Sequence, residues 1–287
     1  MDVPRRFQQF TEERKLLKNV SRNTLIGYKY AWRSFEPFIA ECKDEKQLRK
    51  RLKDAVMGLM TAEELAPQSI NNYIRVINAF LKWMHEEDGI PRIKLDKLKQ
   101  PTNVRKILTD DEVQGLITLK PKKLNDRRVW MMSMIILDAG LRLDEVRRLH
   151  STDIDFENFL ITIRGKGNKQ RRVPFSADLR KILYKWCQKV GTDHLFNTRA
   201  GKLLVSARNA TRDLHMLGCT LSMPDMGFHR MRHTMATNFI KRGGNVVNLQ
   251  KILGHTSVTT TMIYVHAQTE DMVNDHQHLS ILSARIV

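Results

Sequence analysis

Six residues in the second half of the chain have side chains that together could transfer a phosphoryl group. They are two arginines, two histidines, a lysine and a tyrosine: Arg142, Arg232, His229, His255, Lys166 and Tyr264. A phosphodiester gains negative charge on its non-bridging oxygens as a nucleophile attacks, and fixed donors on those oxygens lower the barrier. Arginine stays charged at any working pH and can donate two parallel hydrogen bonds. Arg142 and Arg232 are therefore suited to hold such a phosphate, although a surface salt bridge with Glu145 would also explain Arg142.

The tyrosine at position 264 could act as the nucleophile. Its unperturbed pKa of ~10 leaves about a thousandth of the side chain ionised at pH 7, so a base must help to remove the proton. His229 or an oxygen of the phosphate itself could act as that base. The leaving oxygen then needs a proton, which a lysine on a hairpin could supply. Lys166 and Lys169 lie in the same turn, so either fits this role.

Metal and nucleotide cofactors are not expected. His229 and His233 have the i,i+4 spacing of a helical zinc pair, but Arg230 stands where a metalloprotease has glutamate. His233 is better explained as a structural hydrogen-bonding residue. Gly165 and Gly167 lack the Walker pattern of a phosphate-binding loop. A covalent phosphotyrosine would keep the energy of the broken bond, so the phosphodiester could be re-formed without ATP or Mg²⁺.

Helical periodicity predicts two domains, and the six side chains lie in the second. Apolar residues recur at helical spacing over 21–42 and 69–85, so residues 1–90 are predicted to form a small helical bundle. The aromatic residues of this bundle fall on the apolar stripe and are expected in its core. Residues 91–108 are basic, contain two prolines and lack periodicity, which is typical of an interdomain linker.

The second domain, residues 109–287, is predicted to combine several helices with one small sheet. Thr109 and Glu112 have capping-box spacing at the start of its first helix. Further predicted elements are a buried helix, a short helix and two strands around a glycine-rich turn: 129–139, 144–150, 159–163 and 170–174. The fold class is therefore mainly α with a small β-sheet, that is, α+β.

The second domain resembles the catalytic domain of the tyrosine recombinase (phage integrase) family, in the compact two-domain form of Xer-like and of transposon or plasmid recombinases. Four motifs occur in the order that the family has. They are the first arginine box, the hairpin lysine, the second arginine box and the histidine–tyrosine box: Gly140–Glu145, Gly165–Gly167, His229–His233, and Leu253–His255 with Tyr264. Any one motif alone is weak, but the ordered set is specific. Residues 1–90 resemble the family's helical core DNA-binding domain in pattern only.

The resemblance implies catalytic roles for the six residues and supporting roles for two more. The arginines would clamp the scissile phosphate, the tyrosine would attack it, and Lys166 would protonate the leaving 5′ oxygen. His255 would donate to a non-bridging oxygen. Glu145 would orient Arg142, and His233 would have a secondary role.

The resemblance also implies the reaction and the partners. Cleavage would leave 3′-phosphotyrosyl DNA, and strand exchange would pass through a Holliday junction during integration, excision or resolution. A homo-tetramer would act on two double-stranded DNA sites with short inverted core sequences, alone or with a related second recombinase or accessory factor. The helix expected after Tyr264 would either dock on a neighbouring protomer or pack on its own domain.

The composition favours a polyanionic partner and an intracellular setting. The chain has 287 residues and a formal net charge of +18, which favours nucleic acid, although basic surface residues can also serve solubility alone. Cys42, Cys187 and Cys219 are isolated, so a reducing cytoplasm fits better than a disulfide framework. No apolar stretch is long enough to cross a bilayer. We expect a cytoplasmic, nucleoid-associated protein without a membrane partner.

Two other functions are compatible with the sequence. A type IB topoisomerase uses similar residues on a related fold but relaxes supercoiled DNA, and the compact N-terminal bundle argues against it. A catalytically idle DNA-binding protein would keep the scaffold without the chemistry, and the presence of all six residues disfavours it. Tyr264→Phe would distinguish an enzyme from a binding protein, because it abolishes covalent capture of DNA only where this tyrosine is the nucleophile.

Overall fold

The chain divides into two compact units, Met1–Asn103 and Val104–Val287. The computed structural model describes residues 1–100, 106–164, 170–191, 193–197, 205–255 and 257–264. Within those ranges the first unit is helical, and the second combines helices with a three-stranded antiparallel sheet. The fold class predicted from the sequence, mainly α with one small sheet, is confirmed.

Four helices form the first unit: α1 (Val3–Leu16), α2 (Arg22–Ile39), α3 (Glu45–Thr61) and α4 (Pro67–Asp88). The side chains of Asp2, Ser21 and Asp44 accept hydrogen bonds from first-turn N–H groups and so begin the first three helices. Aromatic side chains fill the core, where Phe10 and Phe80 are fully buried with ring centroids 5.6 Å apart. The expectation that the aromatics belong to the core holds for most of them, but Tyr30 on α2 is 55% exposed.

The segment 90–98 packs along α4 through two asparagines. Asn78 donates to the Leu95 carbonyl (2.9 Å) and accepts from the Leu95 N–H (2.8 Å). Asn71 makes the same pair of hydrogen bonds with Leu98, at 3.0 and 2.8 Å. Ile93 and Leu95 are buried in the core of the first unit. The residues predicted as an interdomain linker therefore begin with a stretch that is bound to α4.

The second unit contains eight described helices, a 3-10 turn (Ser151–Asp153) and three strands. The helices are α5 (Asp110–Thr118), α6 (Leu124–Ala139), α7 (Leu143–Arg147), α8 (Ala177–Val190), α9 (Ala207–Thr220), α10 (Phe228–Lys241), α11 (Val246–Leu253) and α12 (Thr259–Met262). The strands are β1 (Ile154–Asp155), β2 (Leu160–Arg164) and β3 (Gln170–Pro174), in the order β1-β2-β3.

Local signals begin and end the elements that carry the site. The capping box predicted at Thr109 is present, because its hydroxyl accepts from the Glu112 N–H while Glu112 accepts from the Thr109 N–H. Helix α6 begins at Leu124, five residues before the predicted start, and ends at Gly140, which has a φ of 64°. The register of β2 and β3 pairs Ile161 with Val173, so both side chains face the core. In the described part of the chain, no helix is both long and apolar enough to cross a membrane.

Candidate active site

Glu145 fixes the first arginine of the site at the start of α7. Arg142 is the N-cap residue, and its N–H donates to Glu145 Oε2 at 2.8 Å. The Arg142 guanidinium donates to Glu145 Oε1 (3.1 Å) and to the Gly254 carbonyl (3.2 Å). Its side chain is still 41% exposed, so this cation can meet a ligand from solvent.

Arg171, on strand β3, is a third arginine of the site that sequence reasoning did not identify. Its guanidinium donates to both oxygens of Glu145, at 2.9 and 2.8 Å, and its Nε donates to the Ile252 carbonyl at 3.2 Å. Burial alone would raise the pKa of Glu145. The hydrogen bonds from Arg171 and from the Arg142 backbone, with the charges of both arginines, hold that pKa below its ordinary value. Glu145 is therefore an anion between two cations.

Arg232, on α10, is anchored by backbone carbonyls where two helices end. It donates to the Gly140 carbonyl after α6 (2.5 Å) and to the Leu253 carbonyl at the end of α11 (2.7 Å). The negative ends of two helix dipoles therefore face this buried cation. Burial, followed by the charge of Arg142, lowers its pKa to about 10, so Arg232 is charged at neutral pH.

Left-handed glycines shape the two helix ends that hold these arginines. Gly140 has a φ of 64° and Gly254 a φ of 63°. A Cβ at Gly140 would lie 2.9 Å from Met235 Sδ, and a Cβ at Gly254 would lie 2.9 Å from Arg171 Cζ. The backbone conformation of both positions therefore favours glycine, and a side chain at either would displace the neighbouring Met235 or Arg171.

His255 lies between Arg232 and the segment that carries the tyrosine. Its Nε2 is 3.3 Å from Arg232 Nη2, and its Nδ1 is 3.0 Å from Thr261 Oγ1. Because guanidinium groups only donate, Nε2 must accept, which leaves the proton on Nδ1 to donate to Thr261. Thr261 is fully buried and lies one turn before Tyr264. This threonine is another site residue that the motifs alone did not indicate.

Tyr264 is 5% exposed, and its hydroxyl is 2.7 Å from His233 Nδ1. Its ring packs with Ala236, Leu249 and Leu253 of the second unit. The tyrosine is also close enough to Arg232 to raise the pKa of that arginine. The histidine that contacts the tyrosine hydroxyl is thus His233, which the sequence placed outside the catalytic set.

Of the remaining catalytic residues predicted from the sequence, the structure describes His229. His229 is exposed in the first turn of α10, one turn before Arg232 and on the same side of the helix. Lys166 and Lys169 lie outside the described residues. The structure thus brings Arg142, Arg232 and His255 together with the segment of Tyr264.

A domain that holds two guanidinium groups beside a tyrosine and a histidine is suited to phosphoryl transfer. Comparison with known proteins supports this chemistry. The Phage integrase family matches residues 106–271. A tyrosine recombinase of Thermosipho africanus is 29% identical over 92% of this chain and 95% of its own length. The tyrosine recombinase XerA of Saccharolobus solfataricus is 32% identical over 72% of this chain and 66% of its own length.

Solved structures show the same fold. The Tn1549 transposon integrase in complex with transposon right end DNA has a TM-score of 0.79 at 21% identity, covering 98% of this chain and all of that one. A lambda integrase dimer bound to a core site has a TM-score of 0.73 at 15% identity, covering 94% and 97% of the two chains. The chain therefore belongs to the phage integrase family, and the resemblance inferred from its four motifs is confirmed.

Proposed function

We propose that Tyr264 cleaves DNA by attacking a phosphodiester that Arg142 and Arg232 hold. The chain is a tyrosine-type site-specific DNA recombinase, the enzyme class of its family and of its named relatives. One observation carries the assignment of the residues. Both arginines donate to adjacent carbonyls, those of Leu253 and Gly254, immediately before His255. Two cations held at adjacent backbone positions can bind the two non-bridging oxygens of one phosphate.

The proposed reaction exchanges one phosphodiester for another. The Tyr264 oxygen forms a bond to phosphorus while the bond from phosphorus to the 5′ oxygen breaks, which leaves a 3′-phosphotyrosyl end. The phenolic proton goes to a base, and the leaving 5′ oxygen takes a proton from Lys166. Attack by a 5′ hydroxyl of another strand reverses these steps and forms a Holliday junction. The bond energy is retained throughout, so no nucleotide cofactor enters the reaction.

We assign the two histidines of α10 different tasks. The hydrogen bond between Tyr264 and His233 supports an orienting role for His233. His229 is exposed in the first turn of the same helix, where DNA can reach it, and remains the base candidate. His255 accepts from Arg232 through Nε2 before DNA binds, and donation to a phosphate oxygen requires a second ring proton there.

Residues 1–90 are proposed as the core DNA-binding domain, 91–108 as the basic linker and 109–287 as the catalytic domain. The net charge of +18 supports broad contact with DNA phosphates. Sequence-specific binding to short inverted core sites would add base contacts to this charge. The protein would act on the nucleoid in the cytoplasm.

A homo-tetramer on two DNA sites is part of the proposal, and an apolar groove in the second unit supports it. The groove has a volume of about 1090 Å³ and is lined by apolar side chains that include Ile117, Leu119, Trp130, Leu137 and Phe239. The sequence after Tyr264 supplies apolar residues to fill such a groove: Met272, Val273, Leu279, Ile281 and Leu282. Docking of this segment on a neighbouring protomer would link the protomers; docking on its own domain would not. A second recombinase or accessory factor would join the assembly through other surfaces.

Covalent capture of DNA tests this function. The purified protein is incubated with a library of nicked duplexes that trap cleavage, and DNA joined to protein is sequenced. Wild type is expected to form adducts at a few related inverted sites. Tyr264→Phe should form none while still binding DNA. Tyr184→Phe is the matched control, because Tyr184 is half exposed on α8.

Each other outcome identifies a rival. Adducts that depend on Tyr264 but spread over unrelated sequences would indicate a type IB topoisomerase. Binding without any adduct would indicate an idle DNA-binding protein. The family and the named relatives favour neither rival.

A further inference from the structure

Arg171 contacts Glu145 and the turn at the end of α11, and it belongs to none of the four motifs. It donates two hydrogen bonds to Glu145 and one to the Ile252 carbonyl. Its guanidinium also lies flat against Gly254, where an added Cβ would be 2.9 Å from Arg171 Cζ. The residue therefore joins strand β3 to the start of α7 and to the end of α11.

One partner of Arg171, Glu145, also holds Arg142, and the other, the Ile252 carbonyl, immediately precedes the carbonyls that hold Arg232 and Arg142. Glu145 accepts from both the backbone and the side chain of Arg142. The turn that begins at Ile252 supplies the carbonyls that accept from Arg232 and from Arg142. A displacement of Arg171 would therefore disturb the positions of both Arg142 and Arg232.

Arg171 is built into the protein, whereas Arg142 is left accessible. The side chain of Arg171 is 20% exposed, and each of its three nitrogens donates to a protein oxygen. Arg142 is twice as exposed and contacts Glu145 through a single guanidinium nitrogen. Arg171 is thus suited to hold other residues, and Arg142 is suited to bind a phosphate.

The four hydrogen bonds on Glu145 divide its carboxylate between Arg171 and Arg142. Each carboxylate oxygen accepts one bond from Arg171 and one from Arg142, which fills the four lone-pair positions of the carboxylate. Without Arg171, Glu145 would be free to form a two-point pair with the Arg142 guanidinium. That pair would neutralise the charge of Arg142 and turn its donors away from the phosphate.

We propose that Arg171 is a positioning residue for the phosphate clamp: it occupies Glu145 and the Ile252 carbonyl so that Arg142 and Arg232 stay directed at the scissile phosphate. The inference rests on the proposed function, because it concerns the same reaction. It assigns Arg171 no contact with DNA. The expected defect therefore concerns the charge of the phosphate, and neither the tyrosine nor the leaving group.

Single-turnover cleavage of a nicked duplex tests the proposal with Arg171→Met. Cleavage should slow by roughly 10- to 100-fold, the size of loss seen when a residue that orients a metal ligand is removed from a metalloenzyme. Arg172→Met is the matched control, because Arg172 is the next residue of β3, faces the other side and is exposed. The control should cleave within about twofold of wild type.

Two altered substrates separate positioning of the clamp from other causes. A methylphosphonate at the scissile position is uncharged and needs less help from the arginines, so Arg171→Met should lose much less rate on it than on phosphate. A general structural defect would slow both substrates equally and would overturn the proposal. A bridging sulfur at the 5′ position leaves as a thiol of pKa ~8.5 and needs no acid. Rescue by sulfur would assign Arg171 to the lysine hairpin and would also overturn the proposal.

Two further variants keep the test decisive if Arg171→Met folds poorly. Arg171→Lys keeps the charge but loses the planar fork, so its rate should fall between wild type and Arg171→Met. Gly254→Ala should displace Arg171 and reproduce its preference for the uncharged substrate. If wild type forms no adduct that depends on Tyr264, the proposed function fails and this inference fails with it. If wild type cleaves and these variants cleave equally well on phosphate, only this inference fails.

Discussion

The arginine side and the tyrosine side of the site are held in place by different kinds of contact. Arg142 and Arg232 both donate to backbone carbonyls at helix ends that left-handed glycines shape, and Arg142 also pairs with the Glu145 side chain. Tyr264 and His255 instead contact side chains, those of His233 and Thr261. Carbonyls at helix ends cannot rotate away, whereas side-chain hydrogen bonds can be exchanged when a substrate arrives.

The difference in contacts fits the proposed tasks of the arginines and of the tyrosine. Stabilising a developing charge works best when the donors are fixed before the reaction begins. In the proposed reaction, Tyr264 must exchange its contact with His233 for one with the phosphate before it can attack. We infer that the arginine clamp is formed before DNA binds and that the contacts of the tyrosine change afterwards.

The largest effects should come from the two arginines, which differ in burial. Arg142→Ala and Arg232→Ala should each slow single-turnover cleavage by at least ~100-fold, because each removes a donor from a developing anion. Their stabilities should differ. Arg232→Ala leaves two buried carbonyls unpaired and should lower the free energy of unfolding by about 1–3 kcal/mol for each. Arg142→Ala should leave it nearly unchanged, since this side chain is 41% exposed.

Rates and urea denaturation of both variants provide the measurement, with Lys185→Ala as a surface control on α8. Equal stability losses for Arg142→Ala and Arg232→Ala would contradict the distinction between an anchored arginine and an accessible one. Near-normal cleavage by either variant would remove that arginine from the clamp.

Glu145→Gln is expected to lower the free energy of unfolding by less than Arg232→Ala does, and the size of this loss should depend on pH. The pKa of Glu145 is held below the ordinary value of 4.5 in the folded protein, so its charge stabilises the fold above that value. This stabilisation is lost as the pH falls through the folded pKa. The difference in unfolding free energy between wild type and Glu145→Gln should therefore be constant at pH 6–8 and shrink below the ordinary pKa.

Denaturation midpoints of the two proteins across this pH range measure the effect. Asp178→Asn is the control, since Asp178 is almost fully exposed in its pair with Lys181. A difference that grows on acidification would show that Glu145 is not held as an anion.

Thr261→Val should have the smallest effect of these variants on the rate of cleavage. It tests how the contact between Thr261 and His255 supports the tyrosine side of the site. Losing the hydroxyl leaves the His255 Nδ1–H without its acceptor, which should cost about 1 kcal/mol, or roughly fivefold in cleavage rate. Thr260→Val is the matched control because Thr260 is exposed on the same short helix. A loss as large as that of Arg142→Ala would mean that the tyrosine side is as rigid as the clamp.

Local sequence signals predicted much of the fold. The capping box at Thr109, the glycine after α6 and the two strands beside a glycine-rich sequence depend on neighbouring residues, so they can be identified along the chain. The start of α6 was placed too late, because Leu124 begins the helix without a side-chain cap to mark it.

Arg142 and Arg232 could be proposed from the sequence because each lies inside a motif with fixed local spacing. Arg171 could not, since its partners are 26 residues earlier and 81 residues later in the chain. Nothing in the run Gln170–Arg172 separates the partly buried Arg171 from its exposed neighbour. The choice between His229 and His233 as the partner of Tyr264 likewise depends on a contact between α10 and the segment after α11.

The paired hydrogen bonds of Asn71 and Asn78 have a consequence for sequence variation. Both asparagines bind only main-chain groups of the segment that follows α4, at Leu95 and Leu98. The exposed residues between and beside these anchors, such as Lys94 and Lys97, can therefore be replaced without altering the path of the backbone. The charged side chains along this segment can therefore vary, in evolution or by design, while the sequence of α4 stays the same.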